Sequence, residues 1–260
     1  MRWFVFAATM LLCSAVQAGD CIIRVGYPDR ERPPYYLGHG TVVPERPGAA
    51  VDLIRMAVSQ IGCMAQLVRL PNARLKFALV NGSIDMAPVD LRDGEQPYSA
   101  LPLHLGVPDT RRGIRVLAVV YVRVIDAIPS DTDPRHYFRN HKLATIQGAP
   151  LGEQLRDEGY VVDGGAADAY GNLKKVMLHR ADGFAVSIAN VNAMDSIVTT
   201  RYGGQLLRLH KPMRASTVWL SASNDYYRQN VDRMEHLWDW WGDNAASKLN
   251  ELVRGYAAIK

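Results

Sequence analysis

Residues 172–187 read NLKKVMLHRADGFAVS, and far upstream residues 74–89 read RLKFALVNGSIDMAPV. Each phrase is a short amphipathic helix, a small-residue break, an Asp and a brief apolar strand. The repetition predicts two α/β units in one chain. Around the earlier phrase, residues 21–27 form a β-branched strand. Residues 49–61 read as a helix, with Val51, Ile54, Ala57 and Val58 at helical spacing and Gly62 as its stop. A strand over 65–70, a helix over 73–80 closed by Asn81-Gly82, and a strand over 84–89 follow. Strand–helix–strand–helix–strand is the rhythm of a parallel sheet covered by helices. Ligands of such sheets bind beyond the carboxyl ends of the strands, here the loops after Tyr27, Leu70 and Val89.

Around the later phrase, a strand over 143–147 runs into a glycine turn, Gly148 to Gly152, and a helix over 153–158. A turn of this kind presents unpaired backbone N–H groups at a helix start. A strand over 160–162, the helix from Asn172 and a strand over 184–188 complete the unit. Between the units, 92–112 reads as irregular, with Pro97, Pro102 and Pro108, and 114–125 as a long apolar strand. After them come strands over 205–209 and 217–222 and two helices, around 230–241 and 246–256. Two crossings between the units predict two lobes, a cleft and short hinges.

The chain has 260 residues, 48% of them hydrophobic and 22% charged, which excludes disordered and fibrous classes. A net charge of +4 without a dense basic block predicts no nucleic-acid partner. Met1-Arg2, the apolar run from Trp3 to Leu12 and the small residues Val16 and Ala18 read as an export signal cleaved after Ala18. The run is too short to span a bilayer. The mature chain is then an exported periplasmic protein that keeps Cys21 and Cys63, a pair that predicts a disulfide. Both open strand-like segments, and if those strands lie side by side and parallel, their first residues are about 5 Å apart. The histidines have no metal-ligand spacing, and no GxSxG, phosphate loop or CxxC is present, so no metal or cofactor is predicted.

The ordered series IRVGYPDRERPPYY (23–36), GAAVDLIRMAVSQIG (48–62), LPNARLKFALVNGSIDM (70–86), KLATIQGAPLGEQLRDEG (142–159), NLKKVMLHRADGFAV (172–186) and ASKLNELVRGY (246–256) resembles the bacterial extracellular solute-binding family 3. These are periplasmic receptors for polar amino-acid ABC transporters. The resemblance spans nearly all of the mature chain. It implies a bilobal periplasmic binding protein of type II, two α/β lobes joined by a two-strand hinge. The signal is then 1–18, lobe 1 is 19–114 with 208–260, and lobe 2 is 115–207. The chain departs from the family at two places. Where the family has an Arg that grips an α-carboxylate bidentately, this sequence has residues near Pro97. Where it has an Asp for the α-ammonium, this sequence has Ser187. Both departures argue against a standard α-amino acid as ligand, because a zwitterion would be buried without its charge partners.

The expected ligand residues are Tyr27, Tyr35 and Tyr36 at and after the first strand, Arg74 at a helix start, and Asp90 and Arg92 after the third strand. From the second unit come Gln147, Gly148 and Leu151 in the glycine turn, and Ser187 and Asn190 after its last strand. Asp52, Asp85 and Asp182 read as structural, through bonds to backbone N–H groups. Trp238, Trp240 and Trp241, with Leu237, read as anchors of a terminal helix. The leading reading is a monomeric, non-enzymatic receptor that closes over a small polar solute, amino-acid-like or anionic, for a membrane permease or sensor. Two alternatives remain open. One is an interaction protein that binds no ligand. The other is an enzyme resembling periplasmic cyclohexadienyl dehydratases, which would need an acid and cations from Arg74, Arg92 and Glu95.

Overall fold

The structure is a computed structural model that describes residues 21–91 and 94–257, the last without its side chain. The predicted export signal and Arg92 lie outside the described residues. The first half runs β1 (Cys21–Pro28), α1 (Ala49–Gln60), β2 (Cys63–Leu70), α2 (Asn72–Val80) and β3 (Met86–Asp90), followed by a small hairpin, β4 (Leu103–His104) and β5 (Val107–Pro108). Then β6 (Ile114–Arg123) leads through α3 (Pro134–Tyr137) to β7 (Leu143–Ile146), α4 (Pro150–Asp157), β8 (Val162–Ala166), α5 (Ala169–Met177) and β9 (Gly183–Ile188). The chain continues through α6 (Val191–Tyr202), β10 (Leu206–Arg208), β11 (Arg214–Ala222), α7 (Asn224–Gln229) and α8 (Val231–Ala257).

The strands follow the order β2-β1-β3-β11-β6-β9-β7-β8, with β10 added beside β6. Two parallel groups, β2-β1-β3 and β9-β7-β8, flank an antiparallel pair. β11 pairs with β3 through Val218–Ala222 and with β6 through Arg214–Val218. β6 pairs with β11 through Ile114–Ala118 and with β9 through Leu117–Val122. Each of these two strands therefore has one end in each half of the molecule.

Alternation in β1 sends Ile23, Val25 and Tyr27 inward, each fully buried, against the apolar stripe of α1. Cys21 and Cys63 are register partners at the first residues of β1 and β2, with Cα atoms 4.5 Å apart, and form a disulfide. In the second half, Leu143, Val120 and Phe138 form a separate core with Leu155 and Tyr160.

Several elements differ from the sequence reading. The two terminal helices are one 27-residue helix, α8. Gly242 inside it marks a close approach rather than a break: a Cβ there would sit 2.9 Å from the Arg111 carbonyl oxygen. Its buried residues Leu237, Trp238 and Trp241 seat it on the first half, and the Trp238 indole donates to the Leu220 carbonyl at 2.6 Å. The strand expected over 160–162 lies at Val162–Ala166, because pairing with β7 outweighs the weak strand preference of Gly164 and Gly165. α4 begins earlier than expected, with Pro150 in its first turn. α6 escaped notice because it buries only Ala193, Met194 and Val198 and so carries almost no apolar period. The glycine-rich stretch after Tyr36 is held in place: buried Arg69 donates to the carbonyls of Leu37, Gly38 and Val42.

Candidate functional site

Between the two halves, at the carboxyl ends of β1, β3, β7 and β9, lies a cavity of about 290 Å³. The loop after β1 contributes Arg30, Arg32 and Tyr36, α2 contributes Asn72 and Lys76, and the end of β3 contributes Asp90. Glu95 and Tyr98 close that side. From the other half come Thr145, Gly148, Leu151 and Glu153 around the start of α4, and Ser187 at the end of β9. Val116 and Val218 of the crossing strands line the cavity as well. The wall is thus assembled from both halves and from the strands that join them.

The charges on this wall are mostly committed. Arg30 pairs with buried Asp29 at 3.3 Å. Lys76 pairs with Glu95 at 2.7 Å and sits 4.3 Å over the Tyr98 ring. Asp90 accepts from the Ser216 hydroxyl at 3.2 Å. Burial, reinforced by Glu95 and Asp90, pushes the Tyr98 phenol up to about 12. Arg32 is different. Its guanidinium lies 5.0 Å over the Tyr36 ring and 5.7 Å over Tyr35, and Nη1 donates to the Ser187 carbonyl at 3.2 Å. Its Nε has no partner, and among the described residues no carboxylate lies within ion-pair distance of it. Thr145, almost fully buried, also lines the cavity with an unpartnered hydroxyl.

The loop after β1 also clasps the second half. The Tyr35 hydroxyl accepts from the N–H groups of Ala189 and Asn190 at 3.1 and 2.6 Å. The Glu31 carbonyl accepts from the Ala169 N–H at 3.2 Å. Burial raises the Tyr35 pKa, although the bond with the Asn190 backbone works against it. Across the cleft, Asn72 reaches the Gln147 carbonyl at 3.4 Å.

Of the residues expected from sequence, Tyr36, Asp90, Gly148, Leu151 and Ser187 line the cavity. Tyr35 lines a smaller chamber beside it. Tyr27 does not reach it; strand alternation turns that ring into the core, 6.3 Å from the Tyr36 ring and beneath Arg69. Arg74 is exposed on the outside of α2, while Lys76 of the same helix lines the cavity. Gln147 is exposed, and its backbone closes on Asn72. Asn190 caps α6 by accepting from the Ala193 N–H and bonds Asn250. Arg92 lies outside the described residues. Sequence reasoning missed Arg32, Lys76, Tyr98 and Thr145. The signal for Arg32 was present, because it belongs to the same polar, proline-rich loop that drew attention to the tyrosines. Ser187, which stands where the resembled family has an Asp, has its carbonyl capped by Arg32, so an Asp there would meet a guanidinium from the other half.

No family model and no curated protein matches this chain in sequence. Solved structures match it in shape. The GluR0 ligand-binding core from Nostoc punctiforme, in complex with L-glutamate, superposes with a TM-score of 0.64 at 15% identity, over 88% of this chain and 97% of that one. The fold is that of a type II periplasmic binding protein. A substrate-binding protein of an ABC uptake transporter from Streptococcus pneumoniae, with bound histidine, shares this binding-protein fold at a TM-score of 0.64 and 12% identity, over 92% and 95% of the two chains. So does a histidine kinase sensor domain, at 0.63 and 17%, over 89% and 95%. The match over about nine-tenths of the chain agrees with the architecture that the ordered motifs pointed to.

Proposed function

We propose that this chain is an exported solute-binding protein that closes two lobes over a small polar solute and presents it to a membrane permease or sensor. One observation carries the reading: a cavity of about 290 Å³ at the strand ends, walled by both halves and by the two strands that connect them. Rotation about those strands would open and close it. Lobe 1 is taken as 19–114 with 208–260 and lobe 2 as 115–207, with 1–18 removed on export to the periplasm. The Cys21–Cys63 disulfide fits an oxidising compartment. Relatives in fold hold glutamate, arginine and histidine, so an amino-acid-like or anionic solute is the first class to try. The structures similar in fold include both a transporter component and a sensor domain, and either role suits this chain as a monomer. The dehydratase reading loses support, because Arg74 lies away from the cavity and Glu95 is held by Lys76.

The test is a thermal-shift screen of residues 19–260 against amino acids, carboxylates, amines, sugars and prephenate. A ligand at about 100 times its dissociation constant adds roughly 2.7 kcal/mol. For a chain of this size the midpoint should rise by about 5–10 °C. A flat panel from cooperatively unfolding protein would sink the proposal in favour of an interaction protein. Consumption of the stabilising compound would mark an enzyme.

A further inference from the structure

Beside the main cavity lies a second chamber of about 60 Å³. Arg32, Tyr36, Pro88, Val116, Ser187 and Val218 line both spaces, so the two abut across this wall. The chemistry of the two differs. The main cavity carries Arg30, Lys76, Asp90, Glu95 and Glu153 on its wall, whereas among the described residues Arg32 alone of the charged ones lines the chamber. Apart from Tyr35, Tyr36 and Ser187, the lining is largely apolar, with Leu53 and Ile54 from α1, Ile114 and Ile188 from the sheet, and Trp241 and Leu249 from α8. Its other polar groups do not favour a cation. The Tyr35 hydroxyl is already tied to two backbone N–H groups, and the Trp241 indole N–H, which has no partner among the described residues, is a donor.

We propose that the solute is an acid with a short apolar arm, its anionic group on Arg32 and its arm in the chamber lined by Leu53, Ile54, Ile114 and Trp241. This deepens the solute-receptor reading and rests on it. Arg32 stands at the junction, lining both spaces, with its guanidinium over the Tyr36 ring and no carboxylate of the described chain within ion-pair distance. An anion placed there gains a charge-assisted hydrogen bond. A cationic arm would lose its water beside Arg32 and the Trp241 indole N–H, a charge of its own sign and a donor, whereas an apolar arm gains by leaving water. At about 10–15 Å³ for each water-sized position, the chamber holds an arm of roughly four to six non-hydrogen atoms.

The proposal is tested on residues 19–260 by calorimetry with straight-chain 2-oxo acids from 2-oxobutanoate to 2-oxooctanoate and their amides. Succinate, putrescine and glucose complete the panel. The expected result is a gain of about fourfold in affinity for each added methylene. The gain stops once the chamber is filled, and each amide binds at least about tenfold more weakly than its acid. In Arg32→Gln the acid-over-amide preference should vanish. In Ala50→Leu, which adds bulk to the chamber wall, the dependence on chain length should flatten while the acid preference stays. Affinity that does not depend on chain length, or tighter binding of succinate, putrescine or glucose, overturns the proposal and leaves the receptor reading standing. No binding by any probe, here or in the wider thermal-shift panel, by protein that unfolds cooperatively overturns both.

Discussion

At the corner between α2 and β3, Gly82 takes φ +71° and Asp85 follows three residues later; at the corner between α5 and β9, His179 takes φ +57° and Asp182 follows at the same distance. Each Asp clasps the neighbouring parallel strand twice. The Asp85 N–H donates to the Arg24 carbonyl at 2.8 Å, and its carboxylate accepts from the Arg24 N–H at 2.7 Å. The Asp182 N–H donates to the Lys142 carbonyl at 2.8 Å, and its carboxylate accepts from the Lys142 N–H at 2.7 Å. The repeated phrase therefore encodes a backbone clasp that fixes the register of a strand entering a parallel sheet. Beyond the clasp the corners part. The Asp85 side chain is 10% exposed and also holds the Arg24 guanidinium at 2.6 Å, while that of Asp182 is 38% exposed and stands 3.7 Å from Arg123. At the strand ends, the first unit delivers a carboxylate, Asp90, and the second delivers Ser187, whose carbonyl receives Arg32. One scaffold thus carries two different tips, and the tips face the cavity.

Substitutions at matched positions break this comparison in a defined order. Asp85→Ala removes the acceptor of a backbone N–H and of a guanidinium in a mostly buried place, and should cost about 3 kcal/mol in denaturant unfolding. Gly82→Ala forces a Cβ into left-handed backbone and should cost roughly 1–2 kcal/mol. Asp182→Ala, at the more exposed corner, should cost about 1 kcal/mol. Equal losses for the two Asp variants would mean that the shared backbone clasp, and not the Arg24 pairing, sets the energy. His179→Gly should act in the opposite sense and stabilise by up to about 1 kcal/mol, because glycine adopts the corner conformation without steric strain. The smallest effect at neutral pH concerns the tip of the first unit. Tyr98 is pushed up to about 12, so its neutral form is favoured in the folded state. Its contribution to stability is present in full below the ordinary tyrosine value of about 10 and is lost as pH rises through the folded value. Ultraviolet titration should show several late tyrosinate steps, of which Tyr98→Phe removes one and Asp90→Asn moves that same one to lower pH. An unchanged step in Asp90→Asn would mean that burial and Glu95 raise it without help from Asp90.

Much of the scaffold is written locally. The β-branched alternation of β1, the apolar stripe of α1 with its glycine stop, and the two helix–Asp–strand phrases are short-range patterns tied to the periods of strand and helix. Even the disulfide follows, since parallel strands that both open on a cysteine place those residues side by side. Asp85 and Asp182 were legible as backbone acceptors, although their partners turned out to lie on the adjacent strand and not within the turn. α6 and the shifted β8 were not legible, because one has almost no apolar period and the other relies on pairing with β7 to keep two glycines extended.

The site was legible only as a set of loops. From sequence alone, ligand-facing groups were expected from the segments after β1, β2, β3, β7 and β9, because chain direction in a parallel sheet places those ends on one edge. Which side chain in each loop faces the cavity was decided by tertiary structure. Tyr27 and Tyr36 are both aromatic and nearly adjacent in chain, yet strand alternation buries one under Arg69 and the loop brings the other to the cavity. Arg74 and Lys76 share a helix, and its rotation on the sheet sends one to the outside and the other to the wall. Arg32 meets Ser187 only because the halves close on each other, a contact between residues 155 positions apart that no local pattern encodes. Secondary structure and sheet direction follow from short-range periodicity, whereas a binding surface depends on the rotation of whole elements against one another, which is set by packing over the entire chain.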